Sequence, residues 1–247
     1  MERIILIETS TALCSAALAE DGVIVAYRES SAPKAHASLT AVFIREMLSE
    51  RGLGVSDCNA VCVSMGPGSY TGLRVGVSTA KGLCFGAGIP LIAVGTLETL
   101  VAQAAGIPGQ AGNDGNDGST ADYKYIVPMI DARRMEVYTA VWKPECDTAS
   151  ADSWKQITET APMIIDENSF ADILADGPVL FIGDGAGKCA DVLKHPNAHF
   201  LQCHPKASSM LAPAVRTYKE KRFEDVAYFE PFYLKEFVAT VSKKKLF

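Results

Sequence analysis

The stretch GPGSYTGLRVG, residues 66–76, joins an apolar segment to a helical pattern and indicates the fold class. The preceding residues 60–64 form a short apolar run, which is typical of a buried strand. The glycines and the proline that follow favour a tight turn, because glycine permits unusual backbone angles and proline fixes φ. Ser69 or Thr71 then offers a hydroxyl group to cap a helix. A strand, a glycine turn and a helix in this order predict an α/β protein.

The helix predicted after this turn carries two rows of residues with different chemistry. One row alternates spacings of four and three and predicts an apolar face: Leu73, Val77, Ala80, Cys84 and Ala87. The other row contains only small residues, Gly72, Gly76 and Ala80. Each glycine inside a helix costs about 1 kcal/mol relative to alanine, and close packing against a neighbouring helix explains why it is tolerated. A second predicted helix at 36–51 repeats Leu39, Phe43 and Met47 at every fourth position.

The two halves of the chain repeat a similar order of elements. An apolar strand at 4–7 leads through Glu8 into a polar turn and another strand, and the strand at 126–130 does the same through Asp131. Each half later shows a strand, a glycine turn and a helix. This order fits a duplicated α/β domain, although such patterns are generic enough to coincide by chance.

The repeat suggests a division of the chain into two domains. We place the first domain at residues 1–105 and the second at 121–247, with the last segment of the second packing back on the first. The intervening residues 106–120 read GIPGQAGNDGNDGST and lack the apolar side chains of a core, so they predict a flexible surface loop.

The bulk composition restricts the class of protein. The chain has 247 residues, a net charge of −6 and seven scattered cysteines, which fits a cytoplasmic protein with reduced thiols. An acidic surface argues against avid, independent binding of nucleic acid, which needs many Lys and Arg residues on phosphates. The basic run Lys243-Lys244-Lys245 is either a solvated tail or a contact with RNA or a partner. No apolar run approaches the ~20 residues of a membrane-spanning helix.

Two turns are candidate nucleotide-binding sites. Glu8, Thr9 and Ser10 follow a buried strand, where a carboxylate could hold Mg²⁺ through water while hydroxyls meet phosphate. The second turn contains Gly183, Asp184 and Gly185 and opens a predicted helix. Both turns also have an ordinary interpretation, since Ser, Thr and Gly are common turn residues.

The histidines do not form a recognisable metal or catalytic site. His195 and His199 have the spacing of a ligand pair on a helix, but Pro196 between them favours an extended backbone instead. His36 begins a predicted helix and is interpreted as a surface or capping residue rather than a base. The sequence lacks a nucleophile elbow of the G-x-S-x-G kind, and we assign no catalytic residue and no metal ligand.

Four blocks in the chain resemble the TsaB family, also called YeaZ. The opening strand with Glu8-Thr9-Ser10 resembles a turn that commonly reads Asp-Thr-Ser in that family, and residues 66–76 resemble its most specific stretch, continued by residues 80–83. Residues 131–138, DARRMEVY, match a third block and residues 183–186 a fourth. The blocks occur in the family's order across most of the chain.

The resemblance implies a fold and a role. The fold is that of sugar kinases, Hsp70 and actin, with two similar ribonuclease H-like domains. The role is a non-catalytic subunit that binds its paralogue TsaD and works with the ATPase TsaE. Together they transfer a threonylcarbamoyl group to the tRNA adenosine next to the anticodon, so tRNA is met only through the complex. A homodimer forms when the subunit is alone, and ATP or ADP is expected at the complex interface at most.

The resemblance also separates this chain from the catalytic paralogue. Two metal-binding histidines of TsaD, four residues apart, correspond here to Thr96 and Leu100, so the metal site is expected to be missing. The contact with TsaD is implied to lie on the helices of the first domain, and we assign it to Leu39, Phe43, Met47, Gly72, Gly76 and Ala80. On this assignment Gly76→Leu is expected to block the partner while leaving the fold intact.

Three other functions stay open at the level of sequence. A glycoprotease-like metallohydrolase needs a metal or nucleophile constellation, and an ATP-dependent kinase of the same fold needs a catalytic Asp and intact phosphate loops. A chaperone-like homodimer acting alone could use the same helical surface as a complex subunit. Glu8 in place of Asp weakens the expectation that the first turn binds Mg²⁺ and phosphate.

Overall fold

A computed structural model describes residues 1–105, 123–145 and 154–234 of the chain. The predicted loop at 106–120, Cys146 and the basic run Lys243–Lys245 lie outside the described residues. Twelve strands and six α-helices are found within the described part. The strands are β1 (Arg3–Glu8), β2 (Cys14–Glu20), β3 (Val23–Ser30), β4 (Ala60–Gly66), β5 (Leu91–Gly95), β6 (Tyr125–Asp131), β7 (Glu136–Thr139), β8 (Trp142–Pro144), β9 (Trp154–Gln156), β10 (Ala161–Ile164), β11 (Val179–Gly183) and β12 (Ala198–Gln202). The helices are α1 (Ala35–Ser49), α2 (Tyr70–Ala87), α3 (Thr96–Ala105), α4 (Ala171–Asp176), α5 (Ala186–Cys189) and α6 (Leu211–Lys219).

The strands form two sheets with the same topology. The first has the order β3-β2-β1-β4-β5, and the second contains β10-β7-β6-β11-β12, with β8 and β9 added beside β6. β1 pairs antiparallel with β2 and parallel with β4, and β6 likewise pairs antiparallel with β7 and parallel with β11. β4 also pairs parallel with β5, as β11 does with β12. The duplicated α/β fold expected from the faint repeat is therefore confirmed at the level of strand order.

Side chains of the first sheet alternate between two apolar layers. Ile5 and Ile7 of β1 face a cluster built with α1 and α2, whereas Ile4 and Leu6 face the opposite side of the sheet. There they meet α6 and the short 3-10 turn Ala207–Met210 that precedes it. Since both faces are buried at the centre of the sheet, β1, β2 and β4 carry nearly continuous apolar runs rather than a polar alternation.

The second sheet is covered on both faces in the same way. Val127 and Phe181 point to the side that carries α4 and α5. Ile126 and Ile182 point to the other side, where they pack against Leu97 and Leu100 of α3. Each half of the chain thus contributes a helix to the other half's sheet: α3 precedes the second sheet but packs on it, and α6 follows the second sheet but packs on the first.

Differences from the sequence prediction fall mainly in the second half. The strand predicted at 136–142 is divided into β7 and β8, and the helix predicted at 188–194 is the shorter α5. β9 and β12 were not predicted. β12 runs through His199 and pairs with β11, so the two candidate histidines lie on a turn and a strand rather than on a helix. None of the described helices is long and apolar enough to cross a membrane.

Candidate functional site

A cleft of about 690 Å³ lies where the two halves meet. It is bounded by the turn after β1, the start of α2, the turn after β6 and the last described residues of the chain. Its lining mixes hydroxyl, carboxylate, guanidinium and aromatic groups. The polar and aromatic members are Ser10, Thr11, His36, Ser69, Tyr70, Thr71, Asp131, Arg133, Tyr138, Asp184, Phe232 and Tyr233.

The first candidate nucleotide turn is almost completely covered by the protein. Glu8 and Thr9 have no exposed surface, and Ser10 is 1% exposed. The backbone N–H of Ser10 donates to Glu8 Oε1 at 2.6 Å. Glu8 Oε2 and the hydroxyls of Thr9 and Ser10 are buried, and none of them has a hydrogen-bond partner among the described residues. Of the three residues only Ser10 reaches the wall of the cleft, so the turn as folded does not fit a bound Mg²⁺–nucleotide.

Glycines of the loop before α2 and of α2 itself explain why the first turn is covered. A Cβ atom added at Gly68 would overlap the carbonyl oxygen of Ser10, and one added at Gly72 would overlap that of Thr9. The small row predicted from the sequence therefore exists, but it is pressed against the chain's own first turn. The Ser69 hydroxyl caps α2 by accepting the N–H of Gly72 at 3.3 Å.

Burial also perturbs the acidity of Glu8. Loss of hydration penalises the charged carboxylate and raises its pKa to about 7, and the backbone N–H of Ser10, which donates to this carboxylate, opposes the shift. Near neutral pH this buried carboxyl group is thus partly protonated.

The second candidate turn has a structural explanation. Gly183 has a φ of 135°, and its Cα approaches the backbone of Met129 so closely that a side chain would overlap the carbonyl oxygen there. Asp184 Oδ1 accepts the N–H of Asp131 at 2.9 Å and so ties β11 to the turn after β6. Burial raises the pKa of Asp184 above its usual value. Gly185 lies against Val137 and the same Met129 carbonyl.

The residues assigned to the partner contact lie mostly in the chain's own core. Phe43 and Met47 belong to the apolar cluster beneath α1, and Leu39 packs at its edge. Gly76 and Ala80 are buried, and a Cβ at Gly76 would overlap Thr9 Oγ1. The expectation that Gly76→Leu leaves the fold intact is therefore wrong, because the leucine has no space within the protein. These side chains do not form an exposed surface, and a partner contact on α1 and α2 must use the opposite face.

The opposite face of α2 carries an exposed row that sequence reasoning missed. It consists of Arg74, Ser78, Gly82, Phe85 and Gly86. Phe85 is 86% exposed, and added Cβ atoms at Gly82 and Gly86 would meet no atom of the described residues within 4 Å. The signal was present in the sequence, because Phe85 is out of phase with the apolar row and Gly82 and Gly86 are spaced by four.

The histidines take structural positions. His36 Nε2 donates to the carbonyl oxygen of Thr11 at 2.8 Å and so joins α1 to the first turn. His199 packs edge-on against Tyr123, with ring centroids 5.3 Å apart. The ring Nδ1 of His195 accepts the N–H of Asn197 at 3.2 Å. Within the described ranges, no three His, Cys, Asp or Glu side chains are grouped as metal ligands would be.

Comparison with known proteins identifies the family of this chain. A family model described as TsaD, tRNA N6-adenosine threonylcarbamoyltransferase, matches residues 28–243. The tRNA threonylcarbamoyladenosine biosynthesis protein TsaB of Escherichia coli is 31% identical over 241 residues, which cover 96% of each chain. The chain belongs to the TsaB family. A second TsaB, from Haemophilus influenzae, is 30% identical over 97% of this chain and 95% of its own length.

The chain has the fold of a solved relative, and two of its residues lie where the resemblance places metal ligands in TsaD. A solved structure of YeaZ from Pseudomonas aeruginosa superposes with a TM-score of 0.77 and 23% identity, covering 95% of this chain and all of that one. Thr96 and Leu100, which stand where the resemblance places two histidines of TsaD, are both completely buried. Leu100 packs in the apolar cluster between α3 and the second sheet. A hydrocarbon side chain has no lone pair for a metal, so this position cannot supply a ligand.

Proposed function

We propose that this chain is the non-catalytic TsaB subunit of a complex that makes threonylcarbamoyladenosine on tRNA, with a TsaD-type transferase as its partner. The observation that carries the proposal is the match to proteins named for this pathway over nearly the whole length of both chains. It covers both domains and the connections between them, not a single shared motif.

The buried positions at the start of α3 support a non-catalytic role. The transferase activity is implied to need a metal held by two histidines, and this chain places a buried threonine and a buried leucine there. The same substitution weakens the metallohydrolase alternative. The buried first turn weakens the kinase alternative, because a phosphate does not reach Glu8 or Thr9 without displacing α2.

The outward face of α1 and α2 is the surface we assign to the partner. Ala37 and Ala41 of α1 are exposed, and Ala37 lines a shallow groove together with Ser78 of α2. Gly82 and Gly86 reduce helix stability by about 1 kcal/mol each relative to alanine, and no described residue lies close enough to require a glycine there. A second helix approaching closely explains both the glycines and Phe85, whose ring is almost fully exposed in the single chain. The same surface serves a homodimer when the partner is absent.

The remaining parts of the proposal follow from the assignment to this complex. We place any ATP or ADP at the joint interface with the transferase, not on the covered first turn. TsaE joins the complex, tRNA is reached through the partner, and the complex acts in the cytoplasm.

Reconstitution tests the proposal. The transferase, TsaE and the adenylate-forming enzyme of the same organism are mixed with tRNA and labelled threonine, with and without this chain. We expect label on tRNA only when this chain and the transferase are both present, and none with this chain and no transferase. Equal transfer in its absence would remove the proposed role and return the kinase and chaperone alternatives to consideration.

A further inference from the structure

Residues 224–233 form a terminal strap that returns from the second half and crosses the first. The N–H of Glu224 donates to the carbonyl oxygen of Leu91 at 2.9 Å, which attaches the strap to the edge strand β5. Val226 and Phe229 then pack against the apolar cluster beneath α1 and α2. Asp225 Oδ1 accepts the N–H of Ala227 at 2.8 Å and so shapes the turn between these two anchors.

Lys81 of α2 holds the middle of the strap. Its ammonium group donates to the carbonyl oxygen of Ala227 at 2.9 Å and to that of Phe229 at 3.1 Å. Both acceptors lie about 150 residues away in the chain, so the contact depends entirely on the tertiary fold. A charged donor to two carbonyl groups makes stronger hydrogen bonds than a neutral donor does.

The end of the strap reaches the cleft between the halves. The N–H of Phe232 donates to the carbonyl oxygen of Met65 at 2.7 Å. Gly66 has a φ of 110°, and a Cβ atom there would lie 2.8 Å from the Phe232 carbonyl oxygen. The glycine at the start of the family's most specific stretch thus leaves room for the strap.

The last anchor of the strap, Tyr233, contacts Tyr70 at the start of α2, and Tyr70 in turn contacts Arg74 of the exposed row. The rings of Tyr233 and Tyr70 have centroids 4.9 Å apart. Arg74 donates from its guanidinium to the Tyr70 hydroxyl at 2.9 Å, and the guanidinium carbon lies 5.3 Å from the ring centroid. Tyr70 and Arg74 also line the shallow groove beside Ala37 and Ser78 on the outward face. A continuous line of contacts therefore runs from the strap to the surface assigned to the partner.

We propose that the terminal strap is part of the partner interface, because Tyr233 holds Tyr70 and through it positions Arg74 for a carboxylate or carbonyl group on the partner. This inference rests on the proposed function, since it takes the outward face of α1 and α2 as the site of the transferase. The strap positions the arginine, and Lys81 keeps the strap in place.

Binding of the purified transferase to variants of the full chain tests the inference by calorimetry. Tyr233→Ala is expected to weaken binding about three- to ten-fold, the range that loss of an aromatic pair implies. Tyr233→Phe keeps the ring and is expected to bind as the wild type does. Tyr228→Ala, which removes an 84% exposed strap side chain, is the matched control and is expected to have no effect.

A double-mutant cycle distinguishes an effect of Tyr233 through Arg74 from a general loss of the folded structure. Tyr233→Ala combined with Arg74→Ala is expected to bind no more weakly than Arg74→Ala alone, because both changes remove the same contact. Additive losses, or wild-type binding by Tyr233→Ala, would overturn the inference. Failure of the proposed function is recognised separately, because the wild type then does not bind the transferase. If the wild type binds and Gly82→Arg, which obstructs the outward face directly, binds equally well, the partner surface lies elsewhere and this inference is overturned.

Discussion

Glu8 is a carboxyl group in a place that water does not reach. Its raised pKa means that the folded state holds this proton at pH values where the unfolded chain has released it. The contribution of Glu8 to the stability of the native protein is therefore largest below about pH 4.5, and it is lost as pH rises towards about 7. A glutamate that costs stability at neutral pH fits the observation that one of its oxygens is buried with no hydrogen-bond partner in the described part of the chain.

Glu8→Gln is expected to remove this pH dependence. The amide is neutral at every pH, so the variant should be more stable than the wild type at pH 8, by at most about 3 kcal/mol. The two proteins should converge near pH 4.5. Urea unfolding of both proteins at several pH values measures the difference in their free energies of unfolding. The contributions of the other titrating groups are the same in both proteins and cancel in this difference. A constant difference from pH 4.5 to pH 8 would show that Glu8 ionises normally.

The glycines of α2 are predicted to differ in their tolerance of a methyl group. Gly72→Ala places a Cβ against the carbonyl oxygen of Thr9 and is expected to lower the free energy of unfolding by about 1–3 kcal/mol. Gly82→Ala meets open space and should raise it by up to about 1 kcal/mol, because alanine favours the helix. Thermal and urea unfolding of the two variants check the contrast, and equal effects would contradict it.

At the scale of an element, each face of α2 makes contacts with a different part of the molecule. Leu73, Val77 and Cys84 pack towards the first sheet or are buried near it, and Gly72 and Gly76 press on the first turn. Lys81 binds the terminal strap. The remaining face is exposed and bears the small residues and Phe85 assigned to the partner. A mutation in α2 is therefore interpretable only after its face is known.

Gly82→Arg is predicted to block the partner without unfolding the protein. The arginine extends from an exposed position and adds both bulk and charge where a second helix is proposed to pack. Binding of the transferase should fall at least ten-fold by calorimetry, while the melting temperature should not decrease. Ala175→Arg on the exposed face of α4 is the matched control, because it makes a similar change on a helix that packs on the second sheet. Normal binding by Gly82→Arg would move the partner surface elsewhere.

At the scale of the whole molecule, the exchange of α3 and α6 makes the halves depend on each other. Ile4, Leu6 and Ile92 of the first sheet are covered by Met210 and Ala214, which lie in the 3-10 turn and in α6 and follow the second sheet in the chain. The apolar side of α3 is covered in turn by the second sheet. Separating the halves would expose both surfaces to water, at a cost proportional to the apolar area.

A fragment of residues 1–105 is accordingly predicted not to fold by itself, although it includes the complete first sheet. The fragment should lack a cooperative thermal transition in circular dichroism and should bind a hydrophobic dye, whereas the full chain should unfold in one transition. A sharp transition with dispersed amide resonances in the isolated fragment would show that the exchanged helices are dispensable.

Much of the fold was accessible from local patterns in the sequence. Apolar runs of four to eight residues marked β1, β4, β6 and β11, and the capping residue Ser69 marked the start of α2. These signals are local, since a strand or a helix terminus is recognisable within about ten residues. β12 was missed because its short segment AHFLQ lies next to a proline turn and is identified as a strand only by pairing with β11.

The sequence by itself determined the duplicated order of elements, the family and the presence of a row of small residues on α2. Only the tertiary structure decided which surface that row faces, because periodicity shows that residues share one side of a helix but not what lies against it. The same limit applies to Glu8, to Lys81 and to the exchanged helices. Their environments are made by residues far away in the chain, and such long-range contacts leave no mark in the local pattern.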